Sequence, residues 1–514
     1  MEGNRNTGLQ MQPADAGVRP FGGEDGGGGT AAPELARIGY TDPDGGGWTP
    51  VALPAADIVA EDGATAQARM EQVRGVQEKL GDHAAAVAPS ETGVHGFRFN
   101  FGEGRLEYFN PVSGGFEGME TGGGNGGGGG TTKPAPIRTY GVRIDLNNSN
   151  PYTSVTYTDD ATGMVGGSDL WDLMPIFRDI RPCLFKGGKV VGYLDPNDYA
   201  QWAPTQDLTG LPAAPDITSG DAGDVMVEFP KVGWRIRTTG DNTTVQVTNE
   251  PDAGDRLFCY YAHTRETEGD RDFLYVGAYK GSVHNDRLRS ISGAYPTMRF
   301  HQFLRTAAHA NGAGYDQTMF YPVTLLQILY LIRFKNLDSQ RAVGTGFNSR
   351  PPNATGTRPY TGGANTRGMN WGAFENWKQV KCLGVEDLWG SLNECVDGLT
   401  VLANRSIVTA FRNFNDAGEG YTNRGLTVFS QDSSSSQNWG WISRVLGDSE
   451  RGFLIKEGKG SSRTFFSDNV IIMPSMVVGN LSLCYFGGSP NAGIFRLFVV
   501  RTHSTNIGGR LMYL

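Results

Sequence analysis

The chain has 514 residues, room for about three domains at roughly 100–200 residues each, and its 45 Lys and Arg against 54 Asp and Glu give a formal net charge of −9. That mild acidity, without any block of five like charges, argues against a protein that binds nucleic acid by neutralising phosphates. Glycine, at 74 residues, is about twice its average usage, and the 38% of hydrophobic residues falls below the globular norm, so a low-complexity part and a packed part are expected side by side.

No apolar run approaches the roughly 20 residues of a membrane span, and the first twenty residues lack the apolar stretch of a secretory signal, so neither membrane insertion nor a signal peptide is expected. The five cysteines, Cys183, Cys259, Cys382, Cys395 and Cys484, are widely spread without a CxxC pair. That spacing fits neither a disulfide scaffold nor a zinc site and predicts reduced, mostly buried thiols.

Residues 1–60, with GGEDGGGG and DPDGGG, offer backbone freedom without the apolar surface that would offset ordering entropy, and are expected to be disordered or ordered only by a partner. Over 61–120 two elements are expected. Met70, Val73, Gln77 and Leu80 repeat at 3-4-3 spacing, which reads equally as a short coiled-coil seam interrupted at Gly75 or as one amphipathic surface helix. FRFNF and RLEYF, around FGEG, alternate as a hairpin too small to stand alone. This segment reads as an oligomerisation region, and both elements point to a homotrimer. A glycine-rich linker follows at 121–135, then a β-rich lead-in at 136–190.

Everything after the glycine-rich stretch reads as folded. Val225, Val227 and Phe229, then Trp234 and Ile236, alternate about Pro230, and Val245 and Val247 follow a GDN turn, which predicts antiparallel sheet. Two helices are predicted: Met298–Ala310, with Phe300, Phe303, Leu304 and Ala307 on one face, and Pro322–Phe334, apolar almost all round and therefore buried. Short strands and long polar loops after Gly384 complete an α+β domain. Within it, Leu388, Trp389 and Leu392 recur at roughly helical spacing before a strand-like run from Val396, and Phe411, Phe414 and Tyr421 peg a turn-rich loop; both stretches read as scaffold.

Signatures of catalysis are absent: there is no HExxH and no GxSxG, and EGKGSS at 457–462 lacks phosphate-loop spacing. His301 and His309 lie two helical turns apart, too far for a shared metal without other ligands. No cofactor and no metal are expected. In the last segment, Phe495, Leu497 and Val499 fall on one face of a strand and Arg496, Phe498 and Val500 on the other. With the odd-numbered set inside, Arg496, Phe498 and Val500 would join Arg501 and His503 in a mixed aromatic, aliphatic and cationic recognition patch.

Three stretches carry a family resemblance. DLWGSLNECVDGL, FGGSP beside Cys484, and NIGGRL resemble, in order and spacing, the Gly-Asn-Val-Trp-Glu-Trp, Arg-Gly-Gly-Ser-Trp and Asn-Ile-Gly-Phe-Arg elements of the formylglycine-generating-enzyme type of C-type lectin fold. More specifically, AGIFRLFVVRTHSTNIGGRLMYL is similar to the variable region of target proteins of diversity-generating retroelements. VMVEFPKVGW, YVGAYKGS and RTAAHANGAGYDQ resemble phage and prophage tail proteins that carry such domains.

The resemblance implies a C-type-lectin-like ligand-binding domain over 191–514, with antiparallel sheets, two helices and long loops, and a variable region at about 480–514. It implies fixed positions at Gly487, Gly488, Ala492, Gly493, Phe495, Leu497, Asn506, Ile507, Gly508 and Arg510. Ligand-contacting positions are then Tyr485, Phe486, Pro490, Arg496, Phe498, Val500, Arg501 and His503. The expected partners are a host-cell surface receptor, protein or glycan, and other tail or baseplate proteins reached through the N-terminal region; the expected location is a phage tail or prophage-derived particle. Pro490 replaces the usual Trp of the pattern, and Asn393 and Cys395 stand where aromatic residues are common. The oxidase of this fold works with a pair of reactive cysteines, whereas Cys484 has no partner nearby in sequence, so binding rather than catalysis is expected.

Overall fold

The computed structural model describes residues 138–514 apart from short stretches at 251–257, 266–267, 349–358, 403, 405, 427–437, 473–481, 489–491 and 501–506; before residue 138 it describes only the backbone of six short strands. The chain divides into two compact units, Met1–Thr132 and Lys133–Leu514.

In the first unit the predicted hairpin is present as Phe97–Asn100 and Arg105–Asn110, with Gly115–Gly118 added as a third antiparallel strand. Within residues 1–60, Leu9–Met11, Ile38–Thr41 and Trp48–Val51 pair into a small sheet, and the other residues lie outside the described ones. The predicted seam over residues 64–80 and the linker at 121–135 lie outside the described residues.

The second unit is built mostly from antiparallel sheets, with three α-helices among the described residues. A seven-stranded sheet runs in the order Asp198–Trp202, Lys189–Asp195, Arg181–Lys186, Asp224–Pro230, Phe273–Gly277, Met512–Tyr513, Tyr315–Asp316. A four-stranded sheet runs Gly233–Thr239, Asn242–Thr248, Tyr140–Asp145, Val155–Asp159. The predicted alternation about Pro230 is thus two strands in two different sheets. No boundary falls at residue 190, since Arg181–Lys186 pairs on one side with Lys189–Asp195 and on the other with Asp224–Pro230. The stretch expected as a lead-in is integral to both sheets, and its Tyr140, Val142 and Ile144 are core residues.

Helix α1, His301–His309, is shorter than predicted and keeps Leu304 and Ala307 of the predicted face inward but not Phe300 or Phe303. Phe300 caps it and is 40% exposed, while His301, Leu304, Arg305, Ala307 and Ala308 are buried. The reason is electrostatic: two of those buried positions carry charge that finds carboxylate partners. Helix α2, Phe320–Phe334, buries all fifteen of its residues, as its all-round apolar sequence requires. Pro322 is tolerated because it sits in the first turn, where its missing N–H has no intrahelical acceptor. Lys335 ends the helix in the left-handed region at φ 51°, with its amide bonded to Leu331 O at 2.9 Å. α2 lies against Tyr140–Asp145, Asn242–Thr248 and Asn393–Val401, so it is the common support of two sheets.

The third sheet contains the C-terminal region singled out in the sequence. Its strands are β1 (Asn393–Val401), β2 (Ser406–Thr409), β3 (Thr422–Leu426), β4 (Ser482–Gly487) and β5 (Leu497–Val500), in the order β3-β2-β1-β4-β5. Leu388, Trp389 and Leu392 are buried, as expected of scaffold, but they are not helical. Asp387, Gly390 and Ser391 all have positive φ, and three such residues in a row of five break any helix before β1 begins. Four of the five cysteines are buried, Cys259 is half-buried, and all are free thiols. Among the described residues, no helix is long and apolar enough to cross a membrane.

Candidate functional site

The candidate site is the hairpin β4–β5 together with the segment that follows it to Leu514. β4 pairs with β1 and β5 pairs with β4, in a register that sets Phe486 opposite Leu497 and Tyr485 opposite Phe498. The turn between them begins at Gly487 and Gly488, with φ of 63° and 52°. Both must be glycine. A Cβ on Gly487 would stand 2.7 Å from Leu388 O, and one on Gly488 would stand 2.0 Å from Asn393 N.

This close approach creates an arginine cradle. Arg496 is only 2% exposed, and its guanidinium donates from Nη1 to Gly487 O at 2.8 Å, Gly488 O at 2.6 Å and Asn393 Oδ1 at 2.7 Å, and from Nε to Asn469 O at 2.8 Å. Burial pushes its pKa down to about 10, against the pull of the Asp468 carboxylate. Asp468 in turn accepts from Gly493 N at 2.6 Å and Phe495 N at 2.9 Å, and Ser339 Oγ accepts from Ile494 N at 3.0 Å. Phe495 plugs the core below, with its ring 5.0–5.8 Å from those of Phe453, Phe466 and Tyr330. Residues 492–497 are consequently pinned from every side.

A second clamp lies further along the segment. Residues 507–511 run between the start of β1 and Gly277–Gly281: Gly508 N donates to Asn393 O, Cys395 N to Gly508 O, Gly281 N to Gly509 O and Gly277 N to Leu511 O, all at 2.7–3.0 Å. Arg510 is fully buried and meets Glu394 Oε1 through Nη2 at 2.9 Å and through Nε at 3.2 Å; Nη2 also reaches Glu386 O and Asp387 O, and Nη1 donates to Gly277 O. Lys280 Nζ joins the same carboxylate oxygen at 2.8 Å, and Thr318 Oγ1 donates to the other at 2.7 Å. Burial alone would raise the Glu394 carboxyl; the Arg510 and Lys280 charges outweigh it and hold the pKa at about 2.

A third cluster braces the far end of β1. At Asp397 the β1–β4 register breaks, and Asp397 N donates to Thr318 O at 2.8 Å. The Asp397 carboxylate is shared by His301 Nε2 at 2.8 Å and by Arg305, and Asp416 lies 3.2 Å from His301 Nδ1 and 2.7 Å from Arg305. Burial opposes the charged imidazole, but the Asp397 and Asp416 carboxylates outweigh it and lift the His301 pKa to about 9. His301 and His309, weighed in the sequence for metal binding, are instead tied separately to Asp397 and to Asp316.

Three of the expected ligand-contacting residues are corrected by this geometry. Arg496, Tyr485 and Phe486 are buried, at 2%, 3% and 1% exposure. Simple alternation assigns Arg496 to solvent, but strand alternation separates core from water only where one face is open. Here Tyr485 and Cys484, on opposite faces of β4, are both covered. Phe498 and Val500 have described backbone within β5, whereas Pro490, Arg501 and His503 lie outside the described residues.

The positions that the family resemblance gives as fixed fare differently. Gly487, Gly488, Ala492, Gly493, Phe495, Leu497, Ile507, Gly508 and Arg510 are all buried; Asn506 lies outside the described residues. Sequence reasoning missed Asn393, Asp468, Asn469, Lys280 and Glu394 as their partners. Asn393 carried a signal of its own, a polar residue where the resembled pattern has an aromatic one.

No family model matches the chain, and no curated protein matches it.

Proposed function

We propose that this chain is a receptor-binding protein of a phage tail or prophage-derived particle, whose second unit is a C-type-lectin-like domain of the kind diversified by retroelements. The observation that carries the reading is the pinning of the C-terminal segment. Residues 484–488, 492–497 and 507–512 are buried, and the Arg496 and Arg510 clamps fasten the latter two stretches. Such a scaffold is what a protein needs if the intervening residues 489–491 and 501–506 are to change freely, because substitutions away from core and special backbone positions usually shift stability by only about ±0.5 kcal/mol. The placement of Met512–Tyr513 inside the main sheet, beside Phe273–Gly277, also supports a lectin-like arrangement in which distant parts of the domain are tied together.

On this reading Pro490, Phe498, Val500, Arg501 and His503 contact the receptor, and Tyr485, Phe486 and Arg496 belong to the scaffold. The work is binding rather than catalysis. Cys484 weighs against an oxidase, since its thiol is buried and burial pushes its pKa well up, away from the thiolate that such chemistry needs. Particle attachment falls to the N-terminal unit, and several copies per particle would compensate weak single contacts by avidity.

The test is capture of labelled full-length chain by whole cells from a panel of bacterial isolates. The variant Phe498→Ala/Arg501→Ala/His503→Ala is expected to keep its circular dichroism spectrum and unfolding midpoint while losing cell capture. Equal capture by variant and parent, or no capture of any isolate by the parent, overturns the reading. At the genome, a reverse transcriptase gene beside a near-duplicate of the 3′ coding sequence, mismatched chiefly at adenines, is the expected signature of diversification.

A further inference from the structure

A buried charge persists only where its partners replace the water it has lost. Around the Arg510 clamp, six ionisable side chains are 4% exposed or less: Lys280, Lys381, Glu386, Asp387, Glu394 and Arg510. Lys280 and Arg510 serve Glu394. The other three are held less completely. Gln379 Nε2 donates to Glu386 Oε1 at 2.8 Å and to Asp387 Oδ2 at 3.0 Å, so two neighbouring carboxyl groups lie within reach of a single amide nitrogen. An ammonium has three N–H bonds to satisfy. Among the described residues Lys381 Nζ has one oxygen acceptor, Ala364 O at 3.2 Å, and otherwise rests 3.4 Å from the Tyr199 ring centroid.

Glu386 and Lys381 grip the same loop. Gly362 N donates to Glu386 Oε1 and Ala364 N to Glu386 Oε2, each at 2.8 Å, while Ala364 O is the acceptor of Lys381. The loop is fastened separately at its two ends: Thr361 Oγ1 donates to Ile291 O at 2.7 Å, and Asn365 Oδ1 accepts from Tyr279 OH at 2.6 Å. Residues 362–364 therefore form a strap between fixed ends, held down by one carboxyl group and one amine. Burial, with the Asp387 carboxyl added to it, pushes the Glu386 pKa up to about 8, against the pull of the Ala364 and Gly362 amides and of Lys381. Burial pushes the Lys381 pKa down to about 7, against the pull of Glu386 and Asp198. The other ionisable groups facing this pair are Tyr199 and Tyr279, and those facing Asp387 are Lys280 and Arg510.

We propose that residues 362–364 are a pH-governed strap, closed over an uncharged Lys381–Glu386 pair, which opens most readily near neutral pH and is locked by acid. Near neutrality the closed state holds Glu386 as the acid and Lys381 as the amine. Opening admits water, the proton passes from the Glu386 carboxyl to Lys381 Nζ, and both become solvated ions with no proton gained or lost. Below about pH 7 Lys381 is already protonated in the closed state, so opening must release the Glu386 proton to solvent, and each unit of falling pH makes opening roughly tenfold rarer until the ordinary Glu range near about 4.3. Above about pH 8 the closed Glu386 is ionised, opening must take up a proton on Lys381, and it becomes rarer again. The strap is independent of receptor binding, which cell capture tests separately.

The experiment is hydrogen exchange of the full-length chain, read by mass spectrometry on peptides spanning residues 359–367 from about pH 5.5 to about pH 9, with rates corrected for the intrinsic pH dependence of amide exchange. Protection of the Gly362 and Ala364 amides is expected to be lowest between about pH 7 and about pH 8 and to rise roughly tenfold per unit in acid. Lys381→Met is expected to keep the acid rise and lose the alkaline one, and Glu386→Gln to do the reverse. Protection in the parent that is flat with pH, or highest near neutrality, overturns the strap. So does an alkaline rise retained in Lys381→Met or an acid rise retained in Glu386→Gln; each variant decides alone, so failure of one to fold leaves the other as the test.

Discussion

Arg496 and Arg510 are buried in the same C-terminal segment, fourteen positions apart, yet they are held by different chemistry. Arg510 is held by charge, through the Glu394 carboxylate that Lys280 also binds. Arg496 is held by neutral acceptors, chiefly the carbonyls of two glycines that lie too close to Leu388 and Asn393 for a Cβ to fit. The comparison teaches that one guanidinium can be buried in two ways: one depends on ionisation of a partner, the other on the shape of the chain that surrounds it.

The contrast can be broken by removing partners. Glu394→Ala leaves Arg510 and Lys280 without their shared carboxylate, and is expected to destabilise the second unit by about 3–5 kcal/mol in a denaturant titration. A loss below about 1 kcal/mol would show that the charge cluster is dispensable. The charge-held side should also titrate. His301, tied to Asp397 and Asp416, has its folded pKa raised to about 9, so its contribution is whole below the unfolded value of about 6.5 and is lost as pH rises through about 9. The unfolding midpoint should fall across that window, and His301→Gln should flatten the fall; an identical slope in the variant would assign it to other groups.

The shape-held side should respond to backbone instead. Gly488→Ala combines a positive φ with a Cβ contact of 2.0 Å, and an expected loss of roughly 1–3 kcal/mol should appear with little dependence on pH. Smallest of the series, Arg496→Lys keeps the charge but not the fork that reaches four acceptors, for about 1–2 kcal/mol in the same titration. If Arg496→Lys proved as costly as Glu394→Ala, the distinction between the two clamps would collapse.

What could be read in the sequence was what depends on neighbours in the chain. Alternation around Pro230 located two strands, and the all-apolar run before Phe334 located a buried helix, because periodicity is a local property. The strands Phe97–Asn100 and Arg105–Asn110 were legible for the same reason. The inward turn of Arg496 was not legible, since its acceptors come from residues 393, 469 and 487–488, brought together only by the pairing of β1, β4 and β5. The face of α1 was misread likewise: hydrophobicity favours Phe300 and Phe303, but Asp397, almost a hundred residues on, draws His301 and Arg305 inward. The glycines and Arg510 that the resemblance singles out are buried, and their partners come from parts of the chain far away in sequence.

The insertion of Met512–Tyr513 between Phe273–Gly277 and Tyr315–Asp316 has a consequence for biosynthesis. A ribosome must translate more than two hundred further residues before Phe273–Gly277 meets the neighbour that covers its edge, and throughout that interval the nascent sheet presents unpaired backbone amides and carbonyls. Contacts so distant along the chain slow folding, so yield in a cell should depend on elongation rate and on chaperones that shield this open seam.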